Sequence, residues 1–218
     1  MILSFTTGIR EGDARAPGAL ERLLKSKHLP VFAASAEQVH GPRVQIVSKL
    51  SQSKKTPRAD GLLTDAVDQP LAIFTADCVP LFLQADRGRV VGLLHAGWRG
   101  VRGKILAQAV KHLRRKWRIK PAHVVVGVGP HIRSCCFEAQ WDVARYFPLA
   151  RKRFGHRWKI DLEAELRRQA RRLGVRWASK SPAEDCTMHG SRHFSYRRDK
   201  TAKRQVSVIV KTEGKRRI

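Results

Sequence analysis

The sequence predicts an α+β fold in which mixed β-sheets pack as a sandwich with helices on its flanks. Two patterns point there. Short β-branched apolar runs recur along the 218 residues, each bounded by turn formers, as buried strands are. Amphipathic helical stretches fall between them without the regular strand–helix alternation of a parallel α/β sheet.

The first run, Met1-Ile2-Leu3-Ser4-Phe5-Thr6-Thr7-Gly8, is too short for a secretory signal and is expected to be the first strand. Runs at 44–47 and 71–75 follow, separated by the polar Ser51-Gln52-Ser53-Lys54-Lys55-Thr56-Pro57-Arg58, a surface loop by composition. The run at 80–83 begins on Pro80, where a missing N–H is tolerated. A run at 90–94 precedes a helix over 104–117, whose Ile105, Ala109, Leu113 and Trp117 recur at steps of four and form one apolar stripe. After a strand at 124–128, Asp161 caps a helix over 162–173 and Gly174 ends it. Leu162, Leu166 and Leu173 share one side of that helix, leaving Arg167, Arg168, Arg171 and Arg172 as an outward wall. A strand at 206–210 closes the series. No repeat or linker interrupts it, so residues 1–218 are expected to form one domain.

Composition narrows the class. Apolar residues make up 42% of the chain, enough for a core, but no unbroken stretch reaches the roughly 18 residues of a membrane span. The four cysteines do not resemble the disulfide set of a small secreted fold. A reduced cytoplasmic protein without membrane contact is the expectation. The formal net charge is +26, and +23 of it lies beyond residue 98. Such a surface draws phosphates and nucleic acid without base preference, or serves only solubility.

Three segments at the ends of apolar runs carry chemistry: Gln38-Val39-His40-Gly41, Thr75-Ala76-Asp77-Cys78-Val79-Pro80 and His95-Ala96-Gly97-Trp98-Arg99-Gly100. Two imidazoles and a thiolate meeting at one sheet rim suit zinc, and three protein ligands leave a fourth position for chemistry. The same set with a weak axial ligand holds copper. Packing in the core is the alternative for each residue. No P-loop, nucleophile elbow or base-deaminase signature is present. Cys135, Cys136 and Cys186 read as small packing residues, since adjacent cysteines bridge only under strain.

In order along the chain, QVHG, TADCVPLFL, VVGLLHAGWRG, GVGPHIRSCCFE and HFSYRRDK resemble the signature series of the laccase-domain family, also called polyphenol-oxidase-like purine nucleoside phosphorylases or peptidoglycan editing factors. Ala59-Asp60-Gly61-Leu62-Leu63-Thr64 is similar to a further strand of that family. The resemblance implies that His40, Cys78 and His95 bind a catalytic zinc. It also implies phosphorolysis of adenosine, inosine and methylthioadenosine, and deamination of adenosine, with purine nucleosides and phosphate as partners. A copper-dependent phenol oxidation and an editing hydrolysis of cell-wall precursors attach to the family names.

Within this frame, Asp77 is expected to orient a ligand or move a proton, and Arg99, Arg197 and Arg198 are the arginines considered for phosphate. For Arg198 a surface or sheet-edge role is the expectation. Trp98 is expected either to stack on a base or to pack. Glu138 is an acid/base candidate. Two departures from the family pattern bear on substrate contacts: Gly8 stands where an arginine is expected, and Leu166 where an asparagine is.

Overall fold

The computed structural model describes residues 1–48, 57–178 and 186–213. Most of the polar loop at 51–58 and the basic end Lys215-Arg216-Arg217 lie outside them. The strands are β1 (Ile2–Thr6), β2 (Val44–Ile46), β3 (Gly61–Thr64), β4 (Leu71–Thr75), β5 (Val79–Ala85), β6 (Val90–Ala96), β7 (Val124–Val128), β8 (Glu138–Ala139), β9 (Arg151–Phe154), β10 (Arg157–Ile160), β11 (Arg176–Trp177) and β12 (Gln205–Lys211). The helices are α1 (Ala19–Ser26), α2 (Trp98–Arg102), α3 (Ile105–Trp117), α4 (Trp141–Ala144), α5 (Leu162–Leu173) and α6 (Tyr196–Asp199).

Every strand expected from the sequence is present, as are both long helices. Asp161 caps α5 by accepting from the Ala164 amide at 2.8 Å, and Gly174 ends it in the left-handed region at φ 72°. The strands form three sheets. A mixed six-stranded sheet has the order β11-β7-β5-β6-β3-β2, a three-stranded sheet the order β1-β12-β4, and a small sheet the order β8-β10-β9.

Strand alternation decides how these sheets stack. Leu62, Leu71, Ile73, Val91, Leu93 and Ile209 meet between the six-stranded sheet and the β1-β12-β4 sheet. Their sequence neighbours point the other way. Leu63 and Leu94 join Leu81 and Leu83 of β5 beneath α3 and α5, against Leu106, Ala109, Leu113 and Leu166. Ala72, Val208 and Val210 face Leu24 of α1. The result is helix, sheet, sheet, helix. Because both faces of the central strands are buried, their sequences are almost wholly apolar rather than alternating. No described helix is long and apolar enough to cross a membrane.

Two expectations need correction. The outer side of α5 is not an unbroken arginine wall. Arg167 pairs with Glu163 at 2.7 Å and Arg168 with Glu165 at 2.6 Å, because both carboxylates sit one turn back on the same flank. Cys136 and Cys186 are buried as expected, but Cys135 is exposed, because its turn places it at the surface.

Candidate metal centre

The three expected donors come from three separate elements and meet. His95 lies near the end of β6, and Cys78 immediately precedes β5. The β5–β6 register pairs Val79 with Ala96 and Pro80 with His95, so the thiol and the imidazole arrive at the same rim of the sheet. His40 comes from the loop before β2. The three donor atoms lie within 4.8 Å of one another. The two imidazole rings are edge to face, with centroids 4.8 Å apart. His95 is buried, Cys78 half-buried and His40 exposed, so the group opens to solvent on one side.

Asp60 builds this geometry. Its fully buried carboxylate accepts from the amides of Val39 at 3.2 Å, His40 at 2.8 Å and Gly41 at 2.7 Å. The same group lies 2.8 Å from Nδ1 of His95. An ionised carboxylate only accepts, so Nδ1 donates and Nε2 is left free for a metal. His40 has a φ of 62°, a conformation uncommon outside glycine. The grip of Asp60 on three consecutive amides fixes that turn. Burial opposes the charge on Asp60, yet the bond from His95 and the amides of Gly41 and His40 hold its carboxyl below the usual value.

Electrostatics complete the picture. Burial pushes the Cys78 thiol up, but His95 and His40 outweigh it and bring the thiol down to about 6. Burial likewise disfavours charge on His95, yet Cys78 and Asp60 raise it to about 9. The metal-free pair is therefore a thiolate beside an imidazolium at neutral pH. Gly97 leaves the space they need: a Cβ there would lie 3.1 Å from Sγ of Cys78 and 3.4 Å from Cδ2 of His40.

The remaining expected residues surround rather than enter this group. Asp77 has a φ of 93°, and its carboxylate is engaged by other groups. It accepts from Oγ1 of Thr187 and from the amide of Arg197, both at 2.7 Å. Asp77 is thus a brace behind Cys78. Arg197 donates a guanidinium hydrogen to the carbonyl of Glu138 at 3.0 Å. Arg198 donates to the carbonyls of Thr187, Gly190 and His193 and pairs with Asp199, which is a clamp on the chain. Trp98 stacks on Tyr146, with ring centroids 6.4 Å apart, and packs against the core, while the exposed Arg99 lies over the Trp98 ring at 4.4 Å. The Glu138 side chain faces Arg157 at 4.0 Å.

Sequence reasoning missed two residues. Asp60 was visible only as part of a strand motif, and a lone carboxylate carries no spacing signal. Arg204 is half-buried. Burial and then Arg15 lower it from the ordinary arginine value, while Cys78, Asp13 and Asp77 act in the opposite sense. The Arg204 guanidinium donates to the carbonyls of Thr201 at 2.9 Å and Lys203 at 2.8 Å. A separate cleft of 1110 Å³, lined by Phe5, Arg10, Phe82 and His193 among others, contains none of the three donors.

Comparison with known proteins agrees with this architecture. Residues 3–212 match the family described as multi-copper polyphenol oxidoreductase laccase. A purine nucleoside phosphorylase of Streptomyces coelicolor is 34% identical over 205 residues, covering 88% of this chain and 83% of the relative. The purine nucleoside phosphorylase YlmD of Geobacillus stearothermophilus is 33% identical over 231 residues, covering 96% and 84%. The crystal structure of that YlmD superposes with a TM-score of 0.82 at 29% identity, covering 95% of this chain and 85% of the other. The fold is shared with Bacillus licheniformis YfiH at a TM-score of 0.83 and 22% identity, covering 97% and 93%. The chain belongs to the laccase-domain family, whose curated relatives bear the name purine nucleoside phosphorylase.

Proposed function

We propose that the chain is a zinc-dependent purine nucleoside enzyme of the cytoplasm. It would carry out phosphorolysis of adenosine, inosine and methylthioadenosine, and deamination of adenosine. The observation that carries this reading is the convergence of His40, Cys78 and His95 within 4.8 Å, with one side open to solvent. Two imidazoles and a thiolate are a borderline-soft set that fits zinc, and three ligands with an open fourth position fit a catalytic site. Zinc held there supplies Lewis acidity and water activation at neutral pH.

The chain's own residues do the rest. Asp60 fixes the tautomer of His95 and the turn that presents His40. The Cys78–His95 pair holds one proton at neutral pH and surrenders it when a metal binds. The exposed edge at His40 admits the nucleoside. Arg204, half-buried and within the electrostatic influence of Cys78 and Asp77, would supply a guanidinium for phosphate. Arg99, exposed over the Trp98 ring, would add to it. Asp77, held by Thr187 and Arg197, would position Cys78.

The test is metal analysis of the purified protein together with a nucleoside panel assayed with and without phosphate. Release of free base that requires phosphate and zinc supports phosphorolysis. Conversion of adenosine to inosine without phosphate supports deamination. Neither activity in zinc-loaded protein, with phenols oxidised by copper-loaded protein, overturns the reading.

A further inference from the structure

A second group of metal-ligating side chains lies outside this centre. Cys135 and Cys136 sit on a tight turn after β7, where the amides of Cys136 and Phe137 both donate to the carbonyl of Arg133. Cys186 opens the turn Cys186-Thr187-Met188-His189, which is closed by the Gly190 amide on the Cys186 carbonyl at 2.9 Å. A bridge between His131 and Cys186 holds the two turns together, with the Thr187 amide donating to the carbonyl of His131. The four donor atoms, three Sγ and one imidazole nitrogen, lie within 4.8 Å of one another.

The spacing suits a single ion. Ligands at about 2.3 Å (sulfur) and about 2.0–2.1 Å (nitrogen) around a tetrahedral zinc place sulfur and nitrogen about 3.6 Å apart. Here Sγ of Cys135 and Nδ1 of His189 are 3.5 Å apart. A group this compact has no room for an iron–sulfur cluster. The second observation is backbone N–H aimed at sulfur. The Arg133 amide donates to Sγ of Cys186 at 3.4 Å, and the amides of Met188 and His189 face the same atom. Such donors match a thiolate held by a cation better than a neutral thiol. Cys136 and Cys186 are buried while Cys135 and His189 are exposed, which gives an ion a path in.

We propose that Cys135, Cys136, Cys186 and His189 form a second zinc site, closed by four protein ligands and structural in role. It is distinct in kind from the open three-ligand group. A disulfide would use two sulfurs and leave the histidine and the third sulfur without purpose. The consequence reaches the first centre through one network. The turn at 186–190 supplies Thr187, whose hydroxyl holds Asp77, and the carbonyls that anchor Arg198. An ion on Cys186 and His189 therefore steadies the brace behind Cys78.

The experiment counts zinc in protein stripped under reducing conditions and then reloaded. Two equivalents are expected in the unaltered chain, one in Cys78→Ala, and one in the Cys135→Ser/His189→Ala double variant, whose changes are both at exposed positions. The count in Cys78→Ala isolates the second site, so its outcome is independent of the proposed nucleoside chemistry. Cobalt substitution of Cys78→Ala adds a readout, namely the visible bands of a tetrahedral ion with several thiolate ligands. Folded Cys78→Ala that takes up no ion overturns the proposal. So does a non-reduced peptide map of the reloaded protein in which Cys186 is disulfide-bonded to Cys135 or Cys136. If the double variant fails to fold, cobalt titration of the unaltered chain decides: spectra of one thiolate-poor site alone overturn the proposal, and an added thiolate-rich component supports it.

Discussion

Replacing Asp60 by asparagine tests how far one buried carboxylate governs the centre. In the native arrangement Oδ1 serves His40 and His95, and Oδ2 serves Val39 and Gly41. Asparagine keeps one oxygen. If that oxygen faces His40 and His95, the new amide hydrogens meet the N–H groups of Val39 and Gly41. If it faces the other way, His40 and His95 lose their acceptor. Either way two donors are stranded, at about 1–3 kcal/mol each. The expected destabilisation is about 2–6 kcal/mol, lowering the melting temperature by at least about 4 °C in a chain of this size. Because a partner that orients a metal-binding histidine is lost or weakened, zinc affinity should fall about 10–100-fold. Competition with a chromogenic chelator reads the affinity, and a thermal melt reads the stability. Asp86→Asn, at an exposed pair with Arg89, is the control and should stay within about 0.5 kcal/mol of the parent. If Asp60→Asn binds zinc as tightly as the parent and melts at the parent temperature, the assigned role of Asp60 is wrong.

Four further outcomes are expected. Cys78→Ala should abolish nucleoside turnover with the fold retained, whereas Cys135→Ala should lower thermal stability and keep turnover; equal activity loss in both, with unchanged melts, refutes the separation of the two groups. Zinc uptake should release one proton between pH 6 and 9, because Cys78 titrates near 6 and His95 near 9 in the metal-free pair. Affinity should then rise about tenfold per pH unit across that window and flatten above it, measured by calorimetry in buffers of different ionisation heat. Gly97→Ala should weaken zinc binding while leaving secondary structure intact by circular dichroism, since its Cβ would press on Cys78 and His40. Finally, the charge of +26 should bind unrelated DNA duplexes alike and release them steeply as salt rises. Salt-resistant binding to one duplex only, in a fluorescence titration, would contradict that.

The sandwich was legible because its strands are buried on both faces. Runs such as those of β4, β6 and β12 are almost continuously apolar, and a run that short between turn formers has few other uses. The β9–β10 hairpin was not legible: Arg151-Lys152-Arg153-Phe154 and Arg157-Trp158-Lys159-Ile160 carry little apolar periodicity and pair at the surface. Helix α2 escaped notice because five residues are too few to show a period. The donors His40, Cys78 and His95 were found through their surrounding motifs, not through spacing, since no local interval joins them. Asp60 acts on backbone amides, and backbone amides leave no trace in residue identity. At the second group, the interval from Cys186 to His189 was the available signal. Its partners fall in a distant segment, so only the fold joins them.

The last strand in chain order is the middle strand of its sheet, and this has a temporal meaning. β12 lies between β1 and β4, pairing with both along most of its length. During synthesis, β1 and β4 leave the ribosome long before the strand that must separate them exists. Until residue 211 emerges, the β1-β12-β4 sheet cannot form, and the apolar faces of β3 and β6 that it covers stay open to water. Thr187 and Arg197, which hold Asp77, also arrive late. Such long-range pairing slows folding and prolongs exposure of sticky surface. A nascent chain of this protein must therefore remain unassembled, and its centre unfinished, almost until translation of this segment ends.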